Sequence, residues 1–150
     1  MDIFGDLIKS LDKIVHRRIL VGIPMDQTPG INNGHVTNAE KLWKNSVGSP
    51  LEKIPSRKVL EPAVEDKLDE IGATLQSGIL AGLVLGEEKM NEAYVRAGLM
   101  AQQACVNWFD NPKNGWKPNA PLTIERKGSD SPLIDTGEMR KAITFIIEDK

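Results

Sequence analysis

From Val64 to Trp108 the apolar residues recur at steps of three and four, and this periodicity constrains the fold more than any other feature of the chain. Val64, Leu68, Ile71, Leu75, Ile79 and Leu83 form one stripe. Met90, Tyr94, Ala97, Ala101, Ala104 and Trp108 form a second. Each spacing predicts a helix with one buried face. Pro62 suits the first turn of the first helix, where its missing N–H is no loss. Asp110-Asn111-Pro112 ends the second. The second stripe is mostly small, which favours tight packing against a neighbour. Gly72, Gly78 and Gly82 each cost the first helix about 1 kcal/mol relative to Ala. Gly78 and Gly82 stand four apart, so either they admit another backbone closely or the helix ends near Gly78.

Shorter elements flank this pair. Ile3, Phe4, Leu7, Ile8, Leu11, Ile14 and Val15 mark an amphipathic helix over 3–15. Residues 18–23 read as a short strand, ended by Pro24. Residues 24–36 contain Asn32-Asn33-Gly34 and form a loop. Thr37 or Asn38 caps a short helix through Trp43 and Asn45, and Glu40 stands at the capping-box position relative to Thr37. Gly48-Ser49-Pro50 stops it, and 48–58 is a second loop with Ile54-Pro55 extended. Residues 111–134 are rich in Pro and Gly, with 121–127 a single helical turn. A short helix from about Thr136 leads into a strand at 143–147. The two strands, from opposite ends of the sequence, pair in one small sheet. The expected fold is α+β: a small, mostly antiparallel sheet packed with two longer helices, shorter terminal helices and long loops.

With 150 residues the chain reads as one domain, 1–150, large enough to bury a core without metals or disulfides. The single Cys105 has no partner within the chain and points to a reducing compartment. The first 24 residues mix acids and bases and resemble neither a signal nor a transit peptide. No run of 18 apolar residues occurs, so no membrane span is expected. A net charge of −2, with both signs interspersed, gives no electrostatic case for nucleic acid or acidic membranes.

The chemical motifs are sparse. Asp135-Thr136-Gly137 is the tripeptide of aspartic proteases, which need two such aspartates sharing a proton and hence a dimer here. In the retroviral-type enzymes the tripeptide lies early in an all-β chain, whereas only 13 residues follow Gly137 and helices precede it. A plainer reading suits the same residues. Asp135 or Thr136 accepts from a free N–H at a helix start, Glu138 stands at the capping-box spacing from Asp135, and Gly137 takes an unusual turn angle. His16 and His35 lack ligands at zinc spacing, and no phosphate-binding or nucleophile motif occurs. Cys105 reads as a packed thiol. Trp43, Trp108 and Trp116 read as core or interface anchors. No catalytic, metal or cofactor site is expected.

Several segments, in order, resemble one family: the small neck, tail-completion or minor tail proteins of tailed bacteriophages. "LTIERKGSDSPLIDTGEMRKAITFII" resembles the family's ending, a Thr-Ile-x-Arg-Lys-Gly turn followed by Pro-Leu-Ile-Asp-Thr-Gly, a short helix and a closing strand. "NAEKLWKNSVGSPLEKIPSRKVLEP" resembles its middle motif, and "VGIP" its early strand. Together they cover roughly two thirds of the chain. The chain departs from the pattern at Asn45, where the family is usually acidic, and at Lys58-Val59, where it commonly has Pro-Phe. The resemblance implies a non-enzymatic virion part, assembled in the host cytoplasm as a ring of twelve or six copies. Its neighbours would be a head connector or portal-proximal protein and a tail terminator or tail tube protein, with DNA passing only through the lumen and no membrane partner. A minor tail protein or tail assembly factor is the alternative role. Ile54, Pro55, Arg57 and Trp116 are the expected inter-subunit loop contacts, with Arg57 either pairing with an acid on a neighbour or standing in solvent.

Overall fold

A 22-residue helix, the second of the two long ones expected, is the axis against which the sheet and two further helices pack. The computed structural model describes residues 2–25, 36–133 and 137–150. Among the described residues the elements are, in chain order, α1 (Ile3–His16), β1 (Arg17–Gly22), α2 (Asn38–Val47), α3 (Leu60–Asp66), α4 (Leu68–Leu85), α5 (Glu87–Trp108), α6 (Pro121–Lys127), α7 (Glu138–Lys141) and β2 (Thr144–Asp149), with a 3-10 turn at Pro112–Asn114. The fold is α+β, as expected.

Helices α4 and α5 form a hairpin turned by Gly86 alone, whose φ of +107° is open to glycine. Glu87 and Glu88 open α5, where carboxylates favour the helix dipole. Of the two readings of Gly78 and Gly82, close approach is the one realised. A Cβ on Gly78 would stand 2.1 Å from the Cβ of Ala93, and one on Gly82 would stand 2.7–2.9 Å from Met90. Missing side chains on α4 therefore let its backbone lie against α5, and the helix continues past both glycines to Leu85.

The first long helix differs from expectation in one respect. The stripe from Val64 to Leu83 predicts a single helix, but the chain breaks at Lys67, whose N–H donates to the carbonyls of Glu65 and Val64. The break rotates the stripe. Ala63 is buried and Ile71 is buried, while Leu68, in perfect register by spacing, is 57% exposed. A short and a long helix thus reach two different patches of core where one straight helix would reach one.

Strands β1 and β2 pair antiparallel, with Ile19 opposite Ile147 and Val21 opposite Phe145. Ile19 and Val21 pack on the cluster of Ile71, Ala97 and Ala101. The Phe145 ring lies where a side chain on Gly98 would be, so the small face of α5 receives the sheet at close range. A second cluster joins Leu42, Val59, Ala63, Cys105, Trp108, Phe109, Met139 and Ile143, and binds α2, α3 and α7 to the end of α5. At the outer end of the sheet Arg17 faces Asp149 and Arg18 faces Glu148. Arg17 Nε donates to Asp149 Oδ1 at 2.7 Å, its guanidinium also donates to Asn91, and it lies 5.5 Å from the Tyr94 ring centroid.

That hydrogen bond from Arg17 holds the Asp149 carboxyl below its ordinary range. A depressed carboxylate stabilises the fold above its unfolded pKa, and the contribution is lost as pH falls through the lowered folded value. Urea midpoints of the wild type and Asp149→Asn should therefore differ at neutral pH and converge on acidification. A gap that widens in acid would contradict the pairing.

Helix α2 begins as its sequence predicts. Thr37 Oγ1 accepts from the Glu40 N–H at 3.1 Å, and Glu40 Oε2 accepts from the Thr37 N–H at 2.8 Å. Thr37 is itself buried. Thr37→Ala should cost about 1 kcal/mol in denaturant unfolding, the ordinary worth of a cap.

Candidate functional site

Ile54, Pro55 and Arg57 lie where the segment after α2 meets the segment before α6. Gly48 bends the chain out of α2 at φ +76°, and a bridge between Ser49 and Ile54 closes a tight loop. The chain then returns along α2: the Arg57 N–H donates to Asn45 O at 2.7 Å and Ser56 Oγ to Ser46 O at 2.6 Å. This fixes the base of the Arg57 side chain and aims it under the strap of residues 116–120.

Arg57 does not stand in solvent; it is 7% exposed. Its Nη2 donates to Lys117 O at 2.9 Å, to Pro118 O at 3.3 Å and to Asn119 Oδ1 at 3.4 Å, and its Nε donates to Lys117 O at 3.3 Å. Burial lowers its pKa, though an arginine in this setting stays charged. These donors already hold backbone of the same chain, which corrects the picture of a free loop cation. Trp116 does similar work one step away. Its Nε1 donates to Lys58 O at 3.1 Å and its ring meets Phe109 edge-on at 5.8 Å. Two of the expected inter-subunit residues thus fasten the strap internally.

The strap borders two polar grooves that share Asn45, Arg57, Asn119 and Thr123. One, of about 370 Å³, also takes in Lys41, Lys127, Gly137 and Glu138. The other, of about 620 Å³, takes in Ile54, Pro55 and Lys117. The structure therefore brings Arg57 together with Ile54 and Pro55 on one side, and with Gly137 and Glu138 on the other. Trp116 lines neither. Asn119 is buried, and its Nδ2 has no hydrogen-bond partner. Amides and four lysines, Lys41 and Lys127 in one and Lys53 and Lys117 in the other, make these grooves hydrogen-bonding surfaces for carbonyl or carboxylate groups. Among the described residues no three His, Cys, Asp or Glu side chains gather as metal ligands.

Of the tripeptide, Asp135 and Thr136 lie outside the described residues. Gly137 takes φ +77° at the start of α7, and Glu138 is the first helical residue, whereas the capping box expected from Asp135 would make it the third. Cys105 is buried in the main cluster, and burial pushes its thiol up to about 11. Thiolate is scarce at neutral pH, so a thiol reagent should label native protein only at the rate of unfolding, and at once in denaturant. Trp108 is the core anchor expected, but Trp43 is 69% exposed on α2.

The largest surprise is α1. Its apolar stripe is formed as the spacing predicts, yet no residue of α1 is buried. Ile3, Phe4, Leu7, Ile8, Leu11 and Val15 all face solvent, Phe4 at 80%. Of the stripe only Ile14 is half-buried, and an ion pair from Lys13 to Glu87 at 2.7 Å fastens the helix beside the α4–α5 turn. Helix α4 is uncovered too, with Leu80, Val84 and Leu85 exposed, Val84 at 83%. It is one helix long and apolar enough to cross a membrane by length and composition, with mean hydropathy 1.3. Periodicity located both stripes but carries no information on whether the chain itself supplies a cover. No family model, curated protein or solved structure matches the chain.

Proposed function

We propose that this chain is a non-enzymatic structural subunit of a tailed-phage virion, a neck or tail-completion protein that works as a ring of identical copies. The observation that carries the reading is the uncovered apolar surface of α1 and α4. Exposed apolar patches on monomers rarely exceed a few hundred Å², and larger ones mark interaction sites. A ring subunit needs two faces that meet head to tail around an axis, and α1 and α4 each offer an uncovered apolar surface. The ordered resemblance of the middle and C-terminal segments to phage neck proteins supports the same reading, and supplies the setting between head connector and tail. The grooves beside Arg57 add polar surface suited to a neighbour's backbone or carboxylates.

The test is electron microscopy of a lysate from a phage carrying an early stop codon in this gene. Filled heads beside separate, normal-length tails are the expected result. Heads with aberrant or missing tails would move the protein to tail assembly, as a minor tail protein or assembly factor. Intact, infectious particles would overturn both structural roles.

A further inference from the structure

We infer that copies of this chain join by laying the apolar stripe of α1 from one subunit on the uncovered face of α4 of the next. The inference rests on the ring reading above and names the surfaces that build the ring. Three observations carry it.

The first is area. The six exposed apolar residues of α1 present on the order of 700 Å² of side-chain surface, against about 800 Å² per partner in a standard stable interface. Leu80, Val84 and Leu85 present several hundred more on α4. The second is chemical match. From Ile71 to Gly86 the chain carries no charged residue, so a covering element must itself offer an uncharged face. The α1 stripe is such a face, and α1 leaves it unused within its own chain. At about 1.5 Å per residue the 14 residues of α1 span about 21 Å and the 18 of α4 about 27 Å, so one can lie along the other. The third is charge. Acids at the start of α1 (Asp2, Asp6) and Lys9 further along it would meet a helix that opens with Asp69 and Glu70, while Lys13 is engaged by Glu87 of its own chain. An antiparallel crossing sets Lys9 toward those acids, whereas a parallel one sets Asp2 and Asp6 on them. Made once between two subunits, this contact leaves the pair one free α1 and one free α4, from which an assembly propagates beyond a dimer; made twice, reciprocally, it would close a two-fold dimer.

The test uses two variants of the full chain, Leu7→Asp with Leu11→Asp on α1, and Leu80→Asp with Val84→Asp on α4. All four positions are exposed, and circular dichroism checks that the fold survives; Gln at the same positions is the milder second pair. Sedimentation of the wild type should show association beyond a dimer. Each variant alone should lose about tenfold or more in association constant. Mixing the two should restore a one-to-one heterodimer and nothing larger, because each keeps one intact face. A wild type that stays monomeric at the highest soluble concentration would overturn the inference, and would leave the neck reading to the stop-codon phage. An α4 variant that still dimerises while the α1 variant does not would replace it with a symmetric α1 pair. Sedimentation of the wild type with zwitterionic lipid vesicles, abolished in both variants and without self-association, would replace it with a membrane surface.

Discussion

Gly78→Ala with Gly82→Ala should destabilise the protein by on the order of 3 kcal/mol, although both substitutions improve helix propensity. Ala in place of Gly gains about 1 kcal/mol in a helix interior. The added methyl groups have nowhere to go. At Gly78 the new Cβ would overlap the Cβ of Ala93, and at Gly82 it would press on the N, Cα and Cβ of Met90. Much of this obstruction is backbone, which cannot rotate away, so the hairpin must open. Overpacking of this kind costs about 1–3 kcal/mol per site, and separating α4 from α5 loosens the axis of the fold as well. For a chain of this length each kcal/mol moves Tm by about 2–4 °C, so the double variant should melt roughly 10 °C lower. Gly72 is the control. A Cβ there meets nothing within 4 Å, and Gly72→Ala should stabilise by up to about 1 kcal/mol. Stabilisation by all three alanines would show that α4 and α5 do not approach this closely.

Arg57→Met should cost about 2–3 kcal/mol and act first on the strap. The substitution keeps much of the stem but removes the donors to Lys117 O, Pro118 O and Asn119 Oδ1. Hydrogen bonds from a charged donor are worth about 1.5–3 kcal/mol. Arg57→Lys should recover little. One ammonium cannot reproduce the paired reach of Nε and Nη2 to Lys117 O. Amide hydrogen exchange separates this account from a general loss of stability. Exchange should quicken at residues 116–123 before it does in α5. Uniform acceleration through α5 would mean that Arg57 acts on the whole core and not on the strap.

The helices, the two paired strands and the Thr37 capping box were legible because each follows from local spacing and local chemistry. What local reading missed depends on distance. The break at Lys67 leaves Val64 and Leu68 in ideal register, and only the separate positions of the two core clusters call for it. Gly78 and Gly82 signalled either a close approach or a helix end, and the choice between them depends on Ala93 and Met90 in another helix. Arg57 sits in a stretch that reads as an exposed loop, and nothing near it in sequence announces acceptors some sixty positions later. The α1 stripe shows the complementary limit. A pattern of apolar residues states that a face is to be covered, not that the same chain covers it.

The sheet has a further consequence for how the molecule comes into being. β1 ends at Gly22 and β2 begins at Thr144, so the ribosome delivers the partner of the first strand only after every helix from α2 to α7. The α4–α5 hairpin closes through a single glycine and can form as soon as it emerges, since its contacts are local. During synthesis, β1 waits with an unpaired edge and an apolar helix attached to it, for as long as translation of everything between takes. The segment from α1 to β1 is thus vulnerable until β2 arrives, and chaperone capture in that interval should fall on residues 3–23.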